Sequence, residues 1–157
     1  MKKPGFFLFF VFAGILSLKA ATVSVLVVEA GLPFDPDTSI SALAWESGMM
    51  DVFFDSGHIV SNVPSYMIND ISGLLPSEVN GDFQDARDTG VDFFVLIVLS
   101  YTESSRDTPK DVYIRLFRVS SGDLLYEASL PARTWRTSDD EFQDAVRNAA
   151  RIVSQIR

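Results

Sequence analysis

Three stretches of the chain are almost continuously apolar. Phe6 to Leu18 is one, and it lies next to the start of the chain. The other two, TVSVLVV over residues 22–28 and VDFFVLIVLSY over 91–101, are rich in β-branched and aromatic residues, as in strands buried on both faces. From Ile40 to Phe54 the apolar positions spread widely round a helix, leaving Ser41, Ser47, Gly48, Asp51 and Asp55 as a polar stripe expected to face water. Gly57 stands where a helix C-terminal glycine belongs, and a short strand, His58 to Ser61, fits after it, with Pro64 closing it. Residues 76–89 put Val79, Phe83 and Ala86 on one helical face between Pro76 and Gly90.

Strict alternation appears later. DVYIRLFRV and DLLYEASL flank Ser120-Ser121-Gly122, the pattern of an antiparallel hairpin with one wetter face. Ser138-Asp139-Asp140-Glu141 reads as a capping box opening a last helix. Its apolar stripe is Phe142, Ala145, Val146, Ala149, Ile152, Val153 and Ile156. The order is therefore βαβαβ, then a β-hairpin, then a C-terminal helix. Strands separated by helices imply right-handed parallel crossovers, and a hairpin extends such a sheet antiparallel. The expected fold is a single-domain α/β sandwich on a mixed five-stranded sheet.

The first apolar stretch changes the picture of where the protein works. Lys2 and Lys3 precede it, and Ala20-Ala21 follow it. That is the layout of a secretory signal peptide, and the run is short of the ~20 apolar residues of a spanning helix. Residues 1–20 are thus expected to be a removable signal and 21–157 a single domain, with an uncleaved anchor as the alternative. Cleavage would leave 10 basic against 21 acidic residues, a net charge of −11 compared with −8 for the whole chain. Such a surface repels nucleic acid and anionic lipid, and no stable membrane span is expected after signal removal. The chain has no cysteine, so stability must come from packing rather than disulfides.

Candidate chemistry is sparse. Asp51, Asp55 and the sole histidine, His58, stand at metal-ligand spacing, but Gly57 ends the helix before His58 and both aspartates lie on the polar stripe. The helix-exit reading is preferred, and no metal is expected. Asp35 to Ser39 with Glu46 imitates a calcium loop, but Ile40 occupies its glycine position, so helix capping by Asp37 or Thr38 is preferred. No phosphate loop, nucleophile elbow or zinc-protease motif is present, so neither catalytic residues nor a cofactor are assigned. Glu46 falls inside the apolar arc of its helix, between Met50 and Phe53. It is expected to be a buried polar group with a structural partner, where loss of one member costs about 3–5 kcal/mol. The segments 100–111 and 131–139 are the expected contact surfaces, with Arg133, Trp135 and Arg136 as protein-binding candidates because tryptophan and arginine are enriched at binding hot spots.

The element order, the passage WESGMMDVFFDSGHIVSN, the strand GVDFFVLIVLSY and the hairpin VYIRLFRVSSGDLLYEASL together resemble a bacterial envelope module. It is similar to the periplasmic α/β domain of penicillin-binding-protein activator lipoproteins, the curli secretion channel subunit and the N-terminal domain of TolB. The resemblance implies a non-enzymatic protein-interaction or assembly role in the periplasm, with an envelope protein as partner. Those lipoproteins carry a lipidated cysteine and this chain has none, so lipid tethering is not carried over. Oligomeric state is not legible. The rival expectation is a periplasmic protein that binds a small ligand or metal through Glu46 and His58 at the carboxyl end of the sheet.

Overall fold

The computed structural model describes residues 20–31, 40–68, 77–102, 108–131 and 137–156. The elements are β1 (Thr22–Ala30), α1 (Ile40–Asp55), β2 (Ile59–Ile68), α2 (Ser77–Asp88), β3 (Phe93–Ser100), β4 (Asp111–Arg118), β5 (Asp123–Pro131) and α3 (Ser138–Val153). They form one mixed sheet in the order β2-β1-β3-β4-β5, parallel across β2, β1 and β3 and antiparallel through the hairpin, as the sequence pattern implied.

The apolar runs lie at the centre of this sheet. β1 and β3 are buried along nearly their whole length, since both of their faces are covered. On one face Val23, Val25, Val27, Val95, Ile97, Leu99, Ile114 and Leu116 pack against Ala42, Trp45, Met49 and Phe53 of α1 and Ala145, Ala149 and Ile152 of α3. On the other, Leu26, Val28, Phe94, Leu96, Val98 and Phe117 receive Val79, Phe83 and Ala86 of α2. The Phe83 ring stands edge-on to Phe94 and Phe117, at centroid distances of 5.6 and 5.8 Å.

Both parallel crossovers leave their helix through the same device. Gly57 has φ +85, its N–H donates to the Phe54 carbonyl at 2.9 Å, and the His58 N–H donates to Phe53 at 3.1 Å. Gly90 has φ +75, with the equivalent bonds from Gly90 to Arg87 and from Val91 to Ala86. These are Schellman closures, which need a left-handed residue that glycine supplies without strain.

β2 corrects one expectation. Pro64 does not close a four-residue strand, because β2 continues to Ile68. Two residues of β2, Pro64 and Ser65, stand opposite one of β1, so the register shifts between Leu26 and Val28. A bulge on an edge strand is a place where a residue without an N–H is tolerated.

Candidate functional site

α1 determines the site, because it is apolar nearly all round and the sheet can bury only part of it. The polar stripe read from sequence is not a single solvated face. Ser41 and Gly48 are buried against α3, while Asp51 and Asp55 are exposed. A Cβ added at Gly48 would meet the Ala145 Cβ at 2.7 Å and the Phe142 carbonyl oxygen at 2.9 Å, so the helices touch backbone to side chain there. Small residues therefore face α3, Trp45, Met49 and Phe53 enter the core, and other large residues of α1 are left outward. Ile40 is 72% exposed, Leu43 56% and Phe54 72%.

Ile40 and Leu43 border a shallow groove of about 280 Å³ between the starts of α1 and α3, completed by Ala44, Ser47, Ser138, Asp139 and Phe142. Large apolar side chains exposed on one helix face beside a polar-rimmed groove make this face the candidate interaction site.

Under this face lies a buried acid. The Ser41 hydroxyl donates to Glu141 Oε1 at 2.9 Å, and Glu141 is only 3% exposed. Glu29, near the carboxyl end of β1, is buried too and accepts a hydrogen bond from the Tyr101 hydroxyl at 2.9 Å. Burial raises the Glu141 carboxyl above its ordinary range; the Ser41 and Trp45 side chains oppose this, and the charge of Glu29 adds to it. Glu141 is thus not the capping acid that the sequence indicated. The cap is Thr137, whose side chain accepts from the Asp140 N–H while the Asp140 carboxylate accepts from the Thr137 N–H. The box starts one residue earlier than expected, which turns Glu141 inward.

Glu46 occupies the opposite situation. It is half-buried rather than enclosed, and its Oε1 accepts from Asn62 Nδ2 of β2 at 2.9 Å. Its partner is a neutral amide on an exposed residue, not an arginine or a tyrosine. Among the described residues the buried acids are Glu29, Glu141 and Asp144, none of which the helical pattern marked as buried. Asp144 lies next to Arg147, whose guanidinium donates to its carboxylate one turn on.

His58 is the residue after the Gly57 closure. Its ring stands edge-on to Phe53 at 6.1 Å, and its Nδ1 accepts from the Ala21 N–H at 3.4 Å. That contact completes the helix exit with the apolar packing that such closures favour. Asp51 and Asp55 do not join it, and no group of three metal-ligating side chains occurs among the described residues. His58 also precedes β2, so it lies at the amino end of the parallel strands, not the carboxyl end where the ligand-binding alternative needed it. Glu46 bonds to a residue four positions along β2 from His58, roughly 13 Å at strand rise. The two do not form one site.

The contact candidates Arg133, Trp135 and Arg136 lie outside the described residues, as do residues 1–19 of the expected signal segment 1–20, Asp35 to Ser39 and residues 103–107 of the polar loop. No helix among the described residues is long and apolar enough to cross a membrane.

Fold and surface together define an α/β module whose first helix exposes Ile40, Leu43 and Phe54. Solved structures share this architecture. A variant PelC dodecamer from Paraburkholderia phytofirmans matches with a TM-score of 0.51 and 13% identity over 88% of this chain and 90% of that one. TolB from Acinetobacter baumannii matches with a TM-score of 0.51 and 15% identity over 88% of this chain and 28% of that one, so the chain corresponds to little more than a quarter of TolB. The LpoB C-terminal domain from Salmonella enterica matches over 73% of this chain and 84% of that one, with 9% identity and a TM-score of 0.45. The fold is therefore the one that the sequence resemblance to TolB implied. No protein-family model matches the chain, and no curated protein matches it in sequence. At these identities the likeness extends to the fold alone.

Proposed function

We propose that this chain is a non-enzymatic, exported protein-interaction or assembly module of the bacterial cell envelope, acting in the periplasm on an envelope protein partner. The observation that carries the reading is the outward apolar face of α1, with Ile40, Leu43 and Phe54 exposed on a helix whose inward side is already filled. Three large apolar side chains held in water on one helix are a standing gain for whatever covers them, at roughly 25 cal/mol per Å² of apolar surface removed from solvent. The export-type N-terminus supports the compartment, and the net charge of −8 argues against nucleic acid as the partner. The reading assigns no catalytic step.

A pull-down from the host's own envelope extract, using the affinity-tagged protein, tests it. A specific partner should be retained, and it should be lost with Leu43→Gln and Phe54→Gln. Recovery of no partner, together with a specific small-molecule shift in thermal unfolding, would replace this reading with a ligand-binding one. Intact-mass measurement of the protein from its host tests the export step. Loss of about 20 residues is expected for a signal peptide, and a full-length mass in the membrane fraction would make the segment an anchor.

A further inference from the structure

The exposed face of α1 has a definite spacing. Ile40, Leu43, Ser47, Met50 and Phe54 follow one another at alternating steps of three and four residues, the seam of one helix laid against another. Ile40, Leu43 and Phe54 are exposed, while Ser47 and Met50 are half-buried. Ser47 is small and central, so a second helix would come closest there, with larger side chains gripping it at both ends. At the Ile40 end the seam runs into the groove floored by Ala44 and Phe142.

Among the described residues, the charged side chains of α1 and of the groove rim are all acidic. Glu46 lies along one flank, Asp51 and Asp55 along the other, and Asp139 borders the groove. α1 contains neither lysine nor arginine. A second copy of the chain would set these acids against their own duplicates, and an anionic lipid surface would meet the same repulsion. A helix with apolar residues at matching spacing and basic residues beside them meets neither penalty.

Resting on the protein-interaction reading above, we infer that α1 is the docking seam for a cationic amphipathic helix of the partner protein. The partner's apolar residues lie along Ile40 to Phe54, and its lysines and arginines meet Glu46, Asp51, Asp55 and Asp139. The apolar seam supplies most of the affinity, and the acidic flanks supply orientation and association rate.

Fluorescence anisotropy tests this with the protein purified from its host and a labelled synthetic peptide, leucine at the a and d positions and lysine at the flanks. Saturable binding is expected, weakened at least about tenfold by Leu43→Gln with Phe54→Gln, and weakened by added salt and by Asp51→Lys with Asp55→Lys. Circular dichroism checks that each variant keeps its fold. Equal binding of the same peptide with glutamate flanks would overturn the inference, as would binding indifferent to Leu43 and Phe54. Self-association abolished by the Leu43 and Phe54 changes would assign the seam to a second copy, and binding to anionic phospholipid vesicles would assign it to a membrane; either result overturns it.

A photo-crosslinking amino acid at position 43 in living cells separates this inference from the broader reading. An adduct mapped to a basic amphipathic helix supports both. An adduct mapped to an acidic or extended segment overturns the inference and leaves the protein-interaction reading in place. No adduct, together with an empty pull-down, removes both.

Discussion

Ser41 and Glu141, 100 residues apart in the chain, share a 2.9 Å hydrogen bond inside the contact between α1 and α3. The bond ties the second residue of one helix to the first turn of another, beneath the exposed apolar face. It also places a carboxyl group where charge is unfavourable.

Stability should therefore depend on the ionisation of Glu141. Burial holds its carboxyl above the ordinary 4.5, so the folded chain binds this proton more tightly than the unfolded one. The group's contribution is fully present below that ordinary value and is lost as pH rises through the raised folded value. Urea melts across this range should show Glu141→Gln gaining on the native protein as pH increases. A difference between the two that does not change with pH would count against the assignment.

Two helical glycines should respond in opposite directions. Gly48→Ala drives a methyl into Ala145 and the Phe142 carbonyl. The expected overpacking loss of about 1–3 kcal/mol outweighs the propensity gain of about 1 kcal/mol. Gly81 of α2 has nothing within 4 Å of an added Cβ, so Gly81→Ala should stabilise by about 0.5–1 kcal/mol. Denaturant midpoints of the two variants on either side of the native value are the expected result.

The Glu46–Asn62 bond should be worth only about 0.5–1.5 kcal/mol, because it joins a half-buried acid to an exposed amide. A double-mutant cycle with Glu46→Ala and Asn62→Ala measures it directly. A coupling in the 3–5 kcal/mol range of a buried ion pair would mean that Glu46 is enclosed after all.

His58→Ala should leave partner binding unchanged and cost less than about 2 kcal/mol, since the ring contributes one contact to Phe53 and one long hydrogen bond from Ala21. Elemental analysis provides an independent check. A stoichiometric transition metal that disappears with His58→Ala would overturn the helix-exit role.

Much of the architecture was legible because it is local. The continuous apolar runs of β1 and β3 require cover on both faces, and the alternation in β4 and β5 on either side of Gly122 forces a hairpin. The closures at Gly57 and Gly90 could be read from one residue each, since a left-handed position after an apolar-periodic run is a local demand. Pro64 was misread for the opposite reason. A proline's effect on a strand depends on whether that strand is central or at an edge, and the sheet order alone makes β2 an edge.

The acids show the same division more sharply. A helical wheel compares each residue only with its own helix, so Glu46 looked enclosed among the apolar side chains of α1. Which arc of α1 is covered depends on α3, which returns about a hundred residues later and settles on the small residues Ser41 and Gly48. Close approach of two helices selects small side chains, so the arc with serine and glycine became the interior and part of the large apolar arc was left in water. The sequence by itself determined the type and order of the strands and helices and the closures at Gly57 and Gly90. The tertiary structure decided which acid is buried and which apolar face is open, because both depend on contacts between segments far apart in the chain.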